Sequence, residues 1–162
     1  MSRELHYSIT TTWTGSPGAG TLDPKAYSRN LEIRAEGKQT VIPGSSDPAF
    51  RGDPARYNPE ELLVSAISAC HMLWMLHLCA VSRIVVTGYS DHASGAMKVN
   101  PDGSGQFTSV KLRPCILITD PARAEETRAL NEKAHSLCFV ARSVNFPVEV
   151  EPEVAAAPAA GA

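Results

Sequence analysis

"NPEELLVSAISACHMLWMLHLCA", residues 58–80, is the most apolar stretch of the chain and opens with clear helix-start signals. Asn58 supplies an N-cap side chain, Pro59 stands at the first helical position, and Glu61 completes a capping-box-like pattern. Beyond that turn, Leu62 to Val81 contains no Lys, Arg, Asp or Glu. Such a length would span a bilayer. However, Ser65, Ser68, His71 and His77 are spread through it, and amphipathic sheet flanks it, which favours a buried core helix with no membrane partner. A helix apolar nearly all round must be covered on most sides, by a wrapping sheet or by a second subunit.

Working outward, "LHYSITTTW" alternates, with Leu5, Tyr7, Ile9, Thr11 and Trp13 on one side, and predicts a half-buried strand. "AYSRNLEIRAEG" alternates again, placing Tyr27, Arg29, Leu31 and Ile33 on one face. "VIPGSSDPAFRGDPARY" is a Pro, Gly, Ser and Asp-rich loop leading into the helix. After the helix, "RIVVTGYSDHASGAMKV" and "GQFTSVKLRPCILITD" read as strands separated by the turn signal "NPDGSG". Val110, Leu112, Ile116 and Ile118 share a strand face. A second helix opens at Asp120-Pro121 and runs to about Leu137, with Thr127, Leu130, Ala134 and Leu137 as its buried stripe. "CFVARSVNFPVEVEPE" reads as a break followed by a last strand. The order predicts one α+β domain with antiparallel sheet over residues 1–151 and a disordered Ala/Pro-rich tail over 152–162.

The composition sets the class. With 162 residues, 43% hydrophobic and 20% charged, the chain has enough apolar residues for a globular core. Its net charge of −2, with no basic cluster, gives no reason to expect a nucleic-acid partner. "MSRELHYSITTTW" lacks the charged-then-apolar pattern of a secretory signal, so a cytoplasmic location is expected. Four cysteines in a reducing compartment are core, metal or redox residues rather than a disulfide scaffold.

Cys70 and Cys79 share a helix about 13 Å apart along the axis, too far for a disulfide. Cys115 reads as a packing residue in a strand. Cys138 falls where the second helix gives out, beside Phe139, a place where a cysteine can move. Spacing alone leaves Cys70 and Cys138 open between a redox pair and two unrelated buried thiols. Cys70 and His71 point about 100° apart, and His77 lies about 10 Å beyond Cys70, so the three do not read as ligands of one metal ion. Core or pocket-lining roles suit both histidines, and helix-surface solvation suits His135. Met72, Leu73, Trp74 and Met75 read as packing residues, one or two of them available to line an apolar site.

"NPEELLVSAISACHMLW" resembles the helix signature of the OsmC/Ohr family (osmotically inducible protein C and organic hydroperoxide resistance protein), and "KAHSLCFVARSVNFPVEV" its second-cysteine segment. The resemblance covers roughly residues 5 to 151. It implies an OsmC-like fold, with sheets wrapped around a long central apolar helix in an intertwined homodimer whose active sites lie at the subunit interface. It implies a cofactor-free thiol peroxidase reducing organic hydroperoxides, and hydrogen peroxide as a further substrate, with Cys70 as the peroxidatic and Cys138 as the resolving cysteine. Glu60 matches the glutamate that orients an arginine beside the thiolate, and Arg51 is the position most like the OsmC-type arginine. Arg56 is the near alternative, and Arg29 stands on a strand face. A dithiol of lipoyl or thioredoxin type would restore the thiols.

Helix geometry adds an expectation of its own. Glu60 and Cys70 are ten residues apart, about 15 Å along one straight helix, so the simplest arrangement draws Glu60 from a partner chain in an obligate dimer. The loop "TGSPGAG" lacks the hairpin arginine of Ohr-type members, and His71 and Phe139 also depart from that branch, which points to an OsmC-like subgroup. Two other functions fit the same residues: a binding module for an apolar ligand with inert thiols, and a redox sensor with slow turnover.

Overall fold

The computed structural model describes residues 3–158, which divide into two compact units with the boundary between Leu63 and Val64. In chain order the strands are β1 (Thr10–Trp13), β2 (Leu31–Arg34) and β3 (Ile42–Gly44), followed by α1 (Pro59–Val81). Then come β4 (Val86–Asp91), β5 (Ser94–Val99), β6 (Gly105–Leu112), β7 (Pro114–Ile118), α2 (Ala124–Leu137), β8 (Val148–Val150) and β9 (Glu153–Ala156).

In the first unit, β1, β2 and β3 form an antiparallel sheet in that order, with Thr11 opposite Ile33 and Ile33 opposite Ile42. β1 is shorter than the alternation from Leu5 predicts, because the four-residue β2 pairs only with Thr10–Trp13. Leu5, Tyr7 and Ile9 lie outside the ladder and are exposed. In the loop from β1 to β2 the indole of Trp13 donates to the Ser28 carbonyl at 2.8 Å. Gly15 lies so close beneath that carbonyl that a Cβ would stand 2.0 Å from it, which explains the glycine. At the start of α1 the Glu61 N–H donates to Asn58 Oδ1 at 2.7 Å, and the Asn58 N–H donates back to Glu61 Oε2 at 3.1 Å. This is the reciprocal capping box read from the sequence.

In the second unit, α1 buries one stripe: Ile67, His71, Met75, Leu78 and Cys79. The expectation that it is covered on most sides is therefore not met within the chain; Leu73, one turn from the buried stripe, is exposed. The helix ends in a Schellman motif, with Arg83 left-handed at φ 58°, its N–H on the Ala80 carbonyl, and the Ile84 N–H on that of Cys79 at 2.8 Å. Met75, Leu78 and Cys79 pack with Ile84, Ile116, Ile118, Ala134 and Val154 as the core.

Two three-stranded sheets complete this unit, in orders β4-β7-β9 and β5-β6-β8. β4 pairs antiparallel with β7, and β5 with β6, but β8 joins β6 and β9 joins β7 in parallel. The sheets are thus mixed rather than antiparallel. α2 is the reason, since a parallel neighbour needs a long crossover and α2 supplies it. Val110, Leu112, Ile116 and Ile118 are all fully buried as the alternation predicts, although the run divides at Arg113 between two sheets. A 3-10 turn at Pro121–Arg123, capped by Asp120, forms the first turn of the expected second helix. Thr127 and Ala134 are buried, with Leu130 and Leu137 packed at the core's edge.

The expected disordered tail is corrected over its first part. Glu153–Ala156 is a strand, with Val154 opposite Ile116 and largely buried, because the free edge of β7 offers a ladder to small apolar residues whose composition alone looks featureless. Residues 159–162 lie outside the described residues. Ser68 Oγ donates to Asp91 Oδ2 at 2.6 Å, tying α1 to the end of β4. Replacement of Asn58 by Ala removes the cap side chain and should lower stability by about 1 kcal/mol, read as a lower urea midpoint at unchanged slope. An unshifted midpoint would show that the box does not matter to the folded chain.

Candidate active site

Cys70 falls one residue before the buried His71 on α1, a step of about 100° that sets it at the edge of the buried stripe, half-exposed. Cys138 is the C-cap of α2 and is fully buried. The chain turns there because the helix gives way to extended backbone, φ −66° and ψ 108°. Its thiol lies 4.0 Å from the Ile67 carbonyl of α1 and accepts the Ala141 N–H at 3.4 Å. The Cys70 thiol is its neighbour, close enough to act on its ionisation. Both cysteines are free thiols, and the structure brings together the pair that spacing alone left open.

Their surroundings differ. Burial pushes the Cys138 thiol up to about 11, and the neighbouring Cys70 thiol works in the same direction. The N–H groups of Ala141 and Val140 oppose the shift without cancelling it. Cys138 is therefore a protonated thiol at neutral pH. Cys70 instead lines an open apolar hollow of about 510 Å³ together with Leu73, Trp74, His77 and Phe139. Trp74 meets Phe139 edge-on at 5.6 Å and His77 at 5.8 Å. Leu73 and Trp74 are the residues of the Met72–Met75 run that reach the hollow, while Met75 is core. Phe139 is the lining residue that sequence reasoning did not place; its adjacency to Cys138 was the available signal.

The other polar candidates sort by burial. His71 is fully buried with Nδ1 3.3 Å from the Tyr89 hydroxyl. Burial lowers its pKa against the opposing pull of the Asn131 carbonyl and Asp91, so it is a neutral core histidine. Cys79 is buried, and its thiol is pushed up by that burial and by Glu126. Cys115 is half-buried in β7. His135 is half-buried rather than on a solvated surface, and its Nδ1 has no partner among the described residues. Among the described residues no cluster of three His, Cys, Asp or Glu could hold a metal ion.

Arg29, Arg51, Arg56 and Glu60 belong to the first unit. Arg56 pairs with Asp53 at 3.4 Å. Arg29 is committed to the carbonyls of Tyr27 and Pro24 at 2.7 and 2.8 Å and stacks 4.2 Å over the Tyr27 ring. Arg51 makes one longer bond, 3.3 Å to the same Pro24 carbonyl, which leaves most of its donors free. Its backbone is left-handed at φ 67°, uncommon for a residue with a side chain. Gly52 follows because a Cβ there would stand 1.5 Å from the Ser46 carbonyl oxygen. Glu60 is half-buried, and its Oε2 has no hydrogen-bond partner among the described residues.

Two thiols in contact, one buried and one opening on an apolar hollow, form an arrangement that can be compared with known proteins. A family model described as OsmC-like protein matches residues 52–153. The chain belongs to the OsmC-like family. Its fold is similar to that of an OsmC-like protein of unknown function from Vibrio cholerae, at 30% identity and TM-score 0.82, covering 92% of this chain and 99% of that one. An organic hydroperoxide resistance protein from Elizabethkingia anophelis matches at 18% identity and TM-score 0.65, covering 97% and 100%. An organic hydroperoxide resistance protein from Legionella pneumophila matches at 20% and 0.64, covering 93% and 98%. A comparison with curated proteins finds no match.

The raised pKa of Cys138 makes a signed prediction. In the reduced protein at pH 8, iodoacetamide should label Cys70 well ahead of Cys138, and labelling of Cys138 in a Cys70→Ser variant should climb only toward pH 11. Because the folded-state pKa lies above the unfolded one, Cys138 contributes stability fully present below about pH 8.5 and lost as pH rises through about 11. Equal labelling of both thiols at pH 8 would contradict the assigned burial.

Proposed function

We infer that this OsmC-like chain is a cysteine-based peroxidase reducing organic hydroperoxides, with hydrogen peroxide as a lesser substrate. The observation that carries the reading is the contact of the half-exposed Cys70 thiol, facing an apolar hollow, with the buried Cys138 thiol behind it. Cys70 attacks the terminal peroxide oxygen, the S–O bond forming as O–O breaks, and becomes a sulfenic acid. Cys138 gives up its proton and attacks the Cys70 sulfur, releasing water and leaving a Cys70–Cys138 disulfide. An external dithiol of lipoyl or thioredoxin type returns both thiols by exchange. The chemistry uses sulfur alone and needs no cofactor.

The activating cation in this reading is Arg51, which among the described residues pairs with no carboxylate and makes a single side-chain hydrogen bond, held by Glu60, whose Oε2 has no donor among the described residues. Arginine remains charged at any working pH, and a carboxylate fixes its planar fork. Glu60 stands at the first turn of α1 and Cys70 ten residues on, so the pair serving one Cys70 comes from the partner subunit of a homodimer. The exposed apolar face of α1 around Leu73 supports that assembly. Cytoplasmic residence suits thiols that must be kept reduced.

The test is consumption of cumene hydroperoxide, and separately of hydrogen peroxide, with excess dithiol. Wild type should turn over, preferring the organic substrate, and Cys70→Ser should fall to the rate of free dithiol. Cys138→Ser should form sulfenic acid once and then stall. A folded wild type no faster than free dithiol would leave the apolar-ligand binding module in place of the enzyme. Sedimentation should show a dimer at micromolar concentration; a folded, fully active monomer would refute the shared site.

A further inference from the structure

Reduction of an alkyl hydroperoxide has a second chemical requirement besides the nucleophile. As the thiolate takes the distal oxygen, the proximal oxygen departs as an alkoxide, a strong base and a poor leaving group unless a proton reaches it. Of the residues lining the hollow, Leu73 and Phe139 have no proton to give, and the indole of Trp74 donates a hydrogen bond without releasing its proton. The thiol of Cys138 is buried behind Cys70 and is reserved for the next step. That leaves His77, whose imidazole belongs to the side-chain class suited to proton transfer near neutral pH.

Its placement fits. His77 lies seven residues after Cys70, so the two side chains fall within about 20° of each other around α1, nearly two turns apart. Helical side chains lean toward the N-terminus, which tilts the imidazole back over the turn of Leu73 and Trp74 toward Cys70. The edge-on contact with Trp74 at 5.8 Å steadies the ring in that wall of the hollow. Roughly 10 Å of axial separation is too long for two ligands of one ion. That figure is the spacing of the two backbone positions, and the longer imidazole side chain leaning back toward Cys70 shortens it, leaving the hydroperoxide group between sulfur and ring. His71, the other histidine of this helix, is buried in the core and does not line the hollow.

We propose that His77 is the general acid that protonates the departing alkoxide, an assignment that rests on the peroxidase reading. The Cys70 thiolate attacks the distal oxygen of ROOH, the S–O bond forms, and the O–O bond breaks. Two electrons pass from sulfur to the peroxide, Cys70 becomes the sulfenic acid, and the proximal oxygen leaves as ROH with the proton of the His77 imidazolium. Water reprotonates the imidazole.

The experiment changes the leaving group. A peroxyacid delivers the same oxygen to the same sulfur but expels a carboxylate, which needs no proton. Fully reduced protein is mixed with tert-butyl hydroperoxide or with peracetic acid, without free dithiol, and the single-turnover rate of Cys70 thiol loss is measured against a Cys70→Ser background. His77→Phe, which retains an aromatic ring beside Trp74, and His77→Gln should each slow the alkyl hydroperoxide reaction by about 10²-fold or more, with the peracetic acid rate within twofold of wild type. Equal loss toward both oxidants would make His77 a packing residue and overturn the assignment, as would no loss toward either. A wild type whose Cys70 reacts with neither oxidant above the rate of an ordinary thiol would instead overturn the peroxidase reading itself, and the role of His77 with it.

Discussion

The contact between the Cys70 and Cys138 thiols joins a position in the middle of one helix to the last residue of another, and much of the second unit serves to hold that meeting. α2 must stop at Cys138, and it must lie against α1 in one register. Its far end is fixed by Arg123, whose guanidinium reaches the Ser82 carbonyl just past the end of α1 at 3.1 Å. Its middle is fixed by Thr127, Asn131 and Ala134 on the buried face. At the near end the Cys138 thiol faces the Ile67 carbonyl, and the 3-10 turn at Ala141–Ser143 returns the Ala141 N–H to its sulfur. A helix tethered at both ends and packed between has little freedom to change the distance between the sulfurs.

Burial then divides the labour between two chemically identical groups. A thiol cut off from water resists ionising, since the thiolate loses its solvation, and Cys138 is pushed up accordingly. Cys70, one step off the buried stripe of α1, retains access from the hollow. The difference does not require that either cysteine carry a special neighbour at the outset. It follows from where a C-cap and a helix shoulder fall with respect to the same core, and it leaves Cys70 as the thiol that opens on the hollow.

How much of this was legible in the sequence depended on the range of the interaction. The capping box of Asn58 and Glu61, the stripe of α2 and the alternation from Val110 to Ile118 are local patterns, and each is present as read. The strand at Glu153–Ala156 was hidden because Ala and Val beside Pro look like a tail until the edge of β7 is available to pair with them. The parallel pairing of β8 and β9 was hidden for a similar reason, since direction is set by the crossover through α2 and not by the strands. The two cysteines that the structure places side by side are the pair that the family resemblance singled out. The participation of Phe139 was not legible, because it depends on how the chain turns after Cys138.

The apolar character of α1 can now be understood face by face. A soluble helix usually keeps one face for the core and gives the other to water. Here the stripe through Ile67, His71, Met75 and Leu78 faces the core, and the neighbouring stripe through Cys70, Leu73 and His77 faces the hollow, so two faces are apolar for different reasons. The core face is apolar to fold; the hollow is apolar and open, with Leu73 and Phe139 exposed in its lining. The adjacent pair Cys70-His71 divides across the boundary, with a 100° step sending the thiol to the hollow and the imidazole to the Tyr89 hydroxyl. The histidine in the core stripe is kept neutral by its burial, while the one seven residues along from the cysteine is exposed in the wall of the hollow. The same residue type is thereby buried at one position of the helix and exposed at another, and its angle around the axis distinguishes the two.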